Sequence, residues 1–432
     1  MQQTKYLIIT AALAAMASAP LSAFSSAGES SHYDGNLRNS EQSRLERRII
    51  GLEKKLNKKN SSFKIDGFIN TGLARADSNV TTESWGGITN KNDFAAMSNI
   101  GIQISFSTTP YTSFTTQLVS RGEESWDMEA EWAYVSLTPT NTLTFRLGRQ
   151  KVPLYLLSEY IEIGYANPWV YAPDEVYGIT GDSTNDGFSV LYTVPSNGWD
   201  STVQAMWGSN EFTHPVVGNT SAKDVLSLSI TSIKESTTLR FGYTFLTAEI
   251  PTVIAPLPDI PSTLIRAGDT LLFEAENSAI SYLSAGIIVD KPHWLIMSEA
   301  AQLKVGGWFS DVSSAYLMTG YRFGKVMPHI TIAKMKNTDS GARDGASVIS
   351  ASTGAALALP GQLVGAIADG FVVQNQTSYT LGARLELLPS VSVKTELSHI
   401  TDFEGSIGRF NAAAAPTGDN VNILKFAIDA VF

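Results

Sequence analysis

Asn99-Ile100-Gly101-Ile102-Gln103-Ile104-Ser105-Phe106 alternates bulky apolar residues with small or polar ones at every step. Ile100, Ile102, Ile104 and Phe106 alternate with Asn99, Gly101, Gln103 and Ser105. On an extended chain successive side chains point to opposite faces, so one row meets an apolar environment and the other a polar one. The pattern returns along the chain. Leu239, Phe241, Tyr243 and Phe245 alternate with Arg240, Gly242 and Thr244. Tyr379, Leu381, Ala383 and Leu385 alternate with Thr380, Gly382 and Arg384. Leu424, Phe426, Ile428 and Ala430, with Lys425, Ala427 and Asp429 between them, lead to a terminal Phe432.

A soluble sandwich shows the same alternation, so the connections must decide. Reading strands from Phe63 gives about sixteen. Short turns fall at Thr108–Pro110, Thr138–Asn141, Pro195–Gly198, Ile233–Ser236, Asp290–Pro292, Gly324–Val326 and Leu388–Ser390. Between them, in strict alternation, lie longer loops, the longest near 151–185, 248–276 and 336–375. Short turns at one end and long loops at the other are the pattern of a transmembrane antiparallel β-barrel. Tyr111, Tyr192, Trp199, Trp294, Phe323 and Phe432 gather where strands meet the short turns, as an interfacial girdle requires. The expectation is an all-β fold, a transmembrane antiparallel β-barrel of about sixteen strands over residues 63–432. An even strand count puts both ends of the barrel on the short-turn side.

Composition agrees. The 432 residues are 17% charged, 10% aromatic and carry a net charge of −10, with a mean hydropathy of zero. A polar lumen and an apolar outer wall average to that hydropathy, whereas a soluble domain carries about 25% charged residues. High aromatic content excludes a disordered chain. The absence of cysteine excludes thiolate metal sites, cysteine nucleophiles and disulfides, and the acidic balance argues against nucleic acid. Ala346–Ile367 runs about 22 residues without charge, but Gly354, Pro360 and Gly361 weaken it as a membrane helix. It reads as a long loop with a helical turn.

The N-terminus gives an address. Lys5 precedes an apolar run from Tyr6 to Met16 and then small residues, the pattern of a secretory signal peptide over 1–23, with cleavage alternatively after Ala27. Residues 24–62 read as a periplasmic linker and a short α-helical coiled coil. Leu45, Ile49, Leu52 and Leu56 are spaced 4, 3 and 4, as a heptad seam requires. Arg48-Ile49-Ile50-Gly51-Leu52-Glu53 resembles the trimerisation signature of short parallel coiled coils. Two heptads are too few to associate alone, so a trimeric stalk needs the barrels to bring the chains together.

Several stretches resemble the trimeric porins of Gram-negative outer membranes, in the broad group that includes phosphate-selective porins. They are Phe145-Arg146-Leu147-Gly148-Arg149-Gln150-Lys151-Val152-Pro153-Leu154-Tyr155, Gly164-Tyr165-Ala166-Asn167-Pro168-Trp169-Val170, Gly320-Tyr321-Arg322-Phe323-Gly324-Lys325, and Ser378-Tyr379-Thr380-Leu381-Gly382-Ala383-Arg384-Leu385 leading into Lys394-Thr395-Glu396-Leu397. The terminal Phe432 resembles the recognition signal for the barrel-assembly machinery. The resemblance implies a homotrimer in the outer membrane, in contact with its lipid and lipopolysaccharide, passing small hydrophilic solutes and ions by diffusion. The apolar stretches 250–265 and 346–367 depart from the family pattern.

In such proteins an inward-folded loop narrows the lumen, and the resemblance places it at about 151–185. Glu159, Glu162, Asp174, Glu175 and Asp182 make this loop acidic against Lys151. By strand parity Arg121, Arg146, Arg240, Arg322, Arg384 and Lys394 face inward, with Arg149 at the point where strand gives way to loop. An acidic loop opposite a basic wall sets up a transverse field that discriminates between ions. The bland reading is local pairing of solvated charges. A substrate-specific channel for small anions such as phosphate or dicarboxylates, and a plugged structural or adhesive barrel, stand as alternatives. An enzyme is not expected. The five histidines show no ligand spacing, and only His329-x-Thr331 and His399-x-Thr401 approach a His–hydroxyl pair. Neither metal nor cofactor is expected.

Overall fold

The computed structural model describes residues 63–82, 87–180, 184–214, 218–256, 270–306, 310–338, 346–349, 356–358, 374–411 and 415–432. The signal sequence and the stalk residues Leu45, Ile49, Leu52 and Leu56 lie outside the described residues. The strands are β1 (Phe63–Ala76), β2 (Asn99–Thr109), β3 (Thr112–Arg121), β4 (Met128–Thr140), β5 (Leu143–Lys151), β6 (Thr184–Ser196), β7 (Trp199–His214), β8 (Gly218–Lys234) and β9 (Thr237–Pro256). They continue with β10 (Thr270–Asp290), β11 (Trp294–Val305), β12 (Val312–Tyr321), β13 (Val326–Asn337), β14 (Ala346–Ile349), β15 (Ala356–Ala358), β16 (Gln376–Leu388), β17 (Val391–Thr401) and β18 (Asn420–Val431).

Each strand pairs antiparallel with the next from β1 to β13, β13 pairs with β16, and β18 returns to β1. Leaving aside the short β14 and β15, sixteen strands close into a barrel. Closure removes every free strand edge. Burial is inverted relative to a soluble protein. Leu381 is 64% exposed on the outer wall while its neighbour Thr380, facing inward, is 8% exposed. The same inversion holds on β13, where Ile330 and Ile332 are exposed and His329, Thr331 and Ala333 are buried. Lipid meets the apolar row, so a Leu or Ile there needs no protein cover.

The last residue ties the ends together. The backbone N–H and C=O of Phe432 exchange hydrogen bonds with Gly67 at 3.0 and 2.9 Å, completing the β18–β1 seam. The Phe432 ring lies over Gly67, where a Cβ would overlap it. Trp294, Tyr321 and Phe323 form a contiguous aromatic group at the short-turn end, with ring centroids 4.6–4.8 Å apart. Tyr111 and Phe432 are exposed at this end as well.

The loop side departs from expectation in two respects. Alternation in length is not strict, because β7 and β8 join through residues 215–217 and β3 and β4 through 122–127. The stretch read as a loop over 248–276 is instead largely strand: β9 continues to Pro256 and β10 begins at Thr270, paired as far as Thr270↔Pro256. Thr252, Val253 and Ile254 are β-branched and suit an extended ladder. Where a helical turn was expected, β14 pairs with β10 and β15 with β14. Apolar, uncharged sequence carries no local strand signal there because its pairing partner is distant in the chain.

The loop inside the barrel, a candidate constriction

Residues 152–183 join β5 to β6, and 152–180 are described. The segment is apolar enough to pack and is interrupted by Pro153, Pro168 and Pro173, so it cannot continue as a strand. One four-residue helix, α1 (Asp174–Tyr177), lies within it. Leu154, Tyr155, Leu156, Leu157, Trp169, Val176 and Tyr177 bury against inward-facing Tyr282, Met297, Tyr316 and Met318 of β10–β12. At roughly 1.5–3 kcal/mol per large apolar side chain, this face alone holds the loop against one wall.

Polar contacts fix its register. Glu299 on β11 accepts from the backbone N–H of Leu156 at 2.8 Å and from the Tyr177 hydroxyl at 2.6 Å. The Trp169 indole donates to Thr331 Oγ1 at 2.7 Å. Two buried cations then act as clamps. Lys394 Nζ donates to the carbonyls of Gly164 (2.6 Å) and Trp169 (2.7 Å) and pairs with Asp429 at 2.9 Å. Arg384 Nη1 donates to the carbonyls of Tyr165 and Asn167, both at 2.7 Å, and its guanidinium lies 4.9 Å from the centroid of the Tyr165 ring. Glu396 accepts from the Val170 N–H at 2.9 Å and pairs with Lys425 at 2.9 Å. Gly164 passes so close to Asp429 and Asn70 that a Cβ there would overlap both side chains.

The opposite corner of the loop is ionic. Glu162 pairs with Arg121 at 2.8 Å and Lys151 at 3.3 Å. Glu131 joins the group through Arg121 and through Lys151 at 3.1 Å. Burial pushes the Glu162 carboxyl up, but the Coulombic pull of Lys151 and Arg121 outweighs it and holds the group at about 2. Asn70 on β1 donates to the Glu162 carbonyl at 2.8 Å.

These contacts redistribute the residues singled out from sequence. Arg121 sits at the ionic corner. Arg384 and Lys394 do face inward, but the loop covers them: Arg384 is 3% and Lys394 1% exposed. Arg322 pairs with Asp290 at 2.8 Å beside the short turns. Arg146 lies 5.0 Å from the centroid of the inward-facing Tyr134 ring, and Arg240 is bonded to Thr231 Oγ1 at 2.9 Å. Arg149 is displaced from the expected wall. It shares the outward row of Leu147 and pairs with Asp186 at 2.7 Å, directly opposite in the ladder. Among the acidic residues, Glu159 is exposed and Glu162 partly so. Asp174 and Glu175 are buried instead, bound by Arg409 at 3.3 Å and by Gln376 Nε2 at 2.8 Å respectively. Burial, and then the neighbouring Asp174, raise the Glu175 carboxyl above the usual range. Asp182 lies outside the described residues.

The inward carboxylates Glu299, Glu396 and Asp429 escaped the sequence reading, although the parity that selected the arginines selects them equally. Glu131 had no such signal. It is the extra residue of a bulge, because Gln117 opposes Trp132 while Leu118 opposes Ala130.

The chain has recognisable relatives. A family model described as Gram-negative porin matches residues 10–259. No curated protein sequence matches. Among solved structures, OmpT of Vibrio cholerae expressed in the outer membrane is 13% identical, over 86% of this chain and 97% of that one, with a TM-score of 0.53. The anion-selective porin from Comamonas acidovorans is 12% identical over 86% and 99%, with a TM-score of 0.52. Salmonella typhi OmpF in complex with daunomycin is 11% identical over 86% and 97%, also at 0.52. At these identities the structural likeness is one of fold. With more than half of its length matched by the family model and its strands closed into a sixteen-stranded barrel, the chain belongs to the Gram-negative porin family and is an outer-membrane channel for passive diffusion.

Proposed function

We propose that solutes pass between the exposed edge of the 152–180 loop and the wall formed by β4–β9, and that the loop is the constriction. The observation that carries this reading is the one-sided anchoring of the loop. The bonds that fix its register go to β1, β3, β10, β11, β13, β16 and β17, while of β4–β8 only Lys151, at the loop's own root on β5, contributes one named above, its pair with Glu162. The selectivity charges are then Glu159 and Glu162 on the loop, opposed by Arg146 and Arg240 on the wall. Arg384 and Lys394 are excluded from that role because the loop covers them.

The same burial favours a general porin over a channel specific for small anions. Such a channel needs a ladder of like charges open to the lumen, and the inward cations of β16–β18 spend their charge on loop carbonyls and carboxylates instead. A homotrimer in which the N-terminal seam reinforces the barrels, and a role limited to passage with no chemical step, complete the proposal. A trimer form is on record for the Vibrio cholerae OmpT, 13% identical to this chain.

The test is reversal potential across a bilayer under a salt gradient. Opposite walls of a narrow eyelet lie within about one Debye length, roughly 8–10 Å, so their fields are incompletely screened. Glu159→Gln with Glu162→Gln should move the channel toward anions, and Arg146→Ser with Arg240→Ser toward cations. Both shifts should shrink as salt rises. If neither pair moves the potential, the loop does not line the filter.

A further inference from the structure

The loop inside the barrel has a second support, on its outer side. Residues 402–411 follow β17 at the long-loop end and fold back onto the inner wall. Asp402, Glu404, Gly405 and Gly408 all take positive φ, so the chain reverses tightly. Gly408 passes so close to inward-facing Gln376 and to the Phe403 ring that a Cβ there would overlap both. Phe410 is fully buried, with Phe403 edge-on at 5.9 Å between ring centroids. It shares one apolar cluster with Val80, Ile88 and Met97 from the connection between β1 and β2, and with Val170 of the loop inside the barrel. The Asn411 N–H donates to the Thr81 carbonyl at 2.8 Å, and Glu404 pairs with Lys336 on β13 at 3.1 Å. Residues 402–411 thus form a strap from the rim of β13 to the first outer connection, lying across the loop below.

Arg409 is where the strap grips that loop. Its backbone N–H donates to Gln376 Oε1 at 2.8 Å and its Nη1 to Gln374 Oε1 at 2.9 Å, which fixes the arginine on β16 and the residues before it. Its Nε donates to Asp174 Oδ2 at 3.3 Å and its Nη2 to the Gly178 carbonyl at 2.5 Å. Asp174 opens α1 and Gly178 follows it, so one guanidinium holds both ends of the helix. A rigid fork of donors can do this, whereas a point charge on a flexible stem cannot. The grip continues toward the lumen. Tyr177, the last residue of α1, donates to Glu299, and the same carboxylate accepts from the Leu156 N–H. The Tyr155 and Tyr177 rings are 5.0 Å apart, and the Leu157 carbonyl accepts from the Tyr160 N–H at 3.0 Å, next to exposed Glu159.

We propose that Arg409 is a positioning residue of the channel. It holds α1 against the wall from the outer side and, through Glu299 and Leu156–Leu157, sets where Glu159 stands in the lumen. The proposal rests on the reading of the 152–180 loop as the constriction.

The chain has no cysteine, so a single introduced thiol reports the movement of its own segment. Val176 on α1 and Leu157 on the outgoing limb are fully buried. Val176→Cys and Leu157→Cys are made separately in the full chain folded into vesicles, and labelling by a small water-soluble methanethiosulfonate is timed. A buried thiol reacts only while its segment is lifted, so the rate tracks the lifted fraction. Hydrogen bonds to charged groups are strong enough that Arg409→Gln should raise both rates on the order of tenfold or more. Arg409→Lys keeps a charge beside Asp174 but loses the fork, and should fall between Arg409→Gln and wild type. Lys223→Gln, on the outer rim of β8, should label like the wild type. Unchanged rates in Arg409→Gln, faster labelling at position 176 alone, or equal acceleration by Lys223→Gln would each overturn the proposal. Heat-modifiable mobility checks that the barrel is intact; if Arg409→Gln loses it, Arg409→Lys must still label both thiols faster than wild type, and failure to do so overturns the proposal. Reversal potential under a salt gradient, read with Arg409→Gln in the cysteine-free chain, should shift toward anions as Glu159 leaves its place. Faster labelling at both positions with an unmoved potential would support the grip and refute the loop as the filter.

Discussion

Replacing Lys394 by Met separates the role of the buried cations from that of the lumen charges. Lys394 Nζ holds three oxygens: Asp429 at 2.9 Å, the Gly164 carbonyl at 2.6 Å and the Trp169 carbonyl at 2.7 Å. Both side chains of the ion pair are buried, at 0% and 1% exposure, so solvent screens little. Met fills nearly the same volume but leaves Asp429 charged, with Ser392 Oγ at 3.0 Å as a remaining donor. Breaking one side of a buried pair costs about 3–5 kcal/mol. Two responses can relieve it. Lifting the whole loop would expose Leu154, Leu156, Leu157, Val176 and Tyr177, at roughly 1.5–3 kcal/mol each, which exceeds the penalty. Moving only residues 162–170 admits water to Asp429 and forfeits far less. The expected result is a locally displaced loop, a higher single-channel conductance, a larger solute cutoff in vesicle swelling, and a lower thermal transition of the folded barrel. Asp429→Leu added to Lys394→Met removes the stranded charge and should recover most of the lost stability. Wild-type conductance and melting in the Lys394→Met protein would refute the clamp.

Glu175→Gln should stabilise the protein in a pH-dependent way. Burial and then Asp174 raise the Glu175 carboxyl above its ordinary 4.5 in the folded state. The native state therefore holds that proton more tightly than the unfolded chain, and stability falls as pH rises past the unfolded value. The amide oxygen can still accept from Gln376 Nε2, so the variant should melt higher than wild type at pH 8 and like it near pH 4. A difference that does not depend on pH would contradict the buried-carboxyl account. Deleting Phe432 removes both backbone bonds to Gly67 and one exposed ring of the girdle. The folded, heat-modifiable fraction recovered from outer membranes should drop, and normal recovery would show that the terminal ring is dispensable for assembly.

Sequence alone determined the architecture because lipid and water impose a period of two on every barrel strand. Ile100-Gly101-Ile102-Gln103 and Thr380-Leu381-Gly382-Ala383 carry that period whatever they pair with, and the short turns fix the order of pairing. Parity also assigned Arg384 and Lys394 to the inner face. What parity could not say is what lies above an inward side chain. Whether an inward lysine meets water or the carbonyl of Gly164 depends on where a loop more than 200 residues away comes to rest. That position is set by non-local packing of Leu157, Trp169 and Tyr177 against β10–β12, which leaves no local pattern in either segment. The same limit explains Arg149, where one position at a strand end decides between the lumen and an outward pair with Asp186. It explains Glu131 too, turned inward by a bulge that is defined only relative to the neighbouring strand. Side-chain alternation is a property of one strand; cover, bulges and ion pairs are properties of two or more segments brought together, and they exist only once the chain has folded.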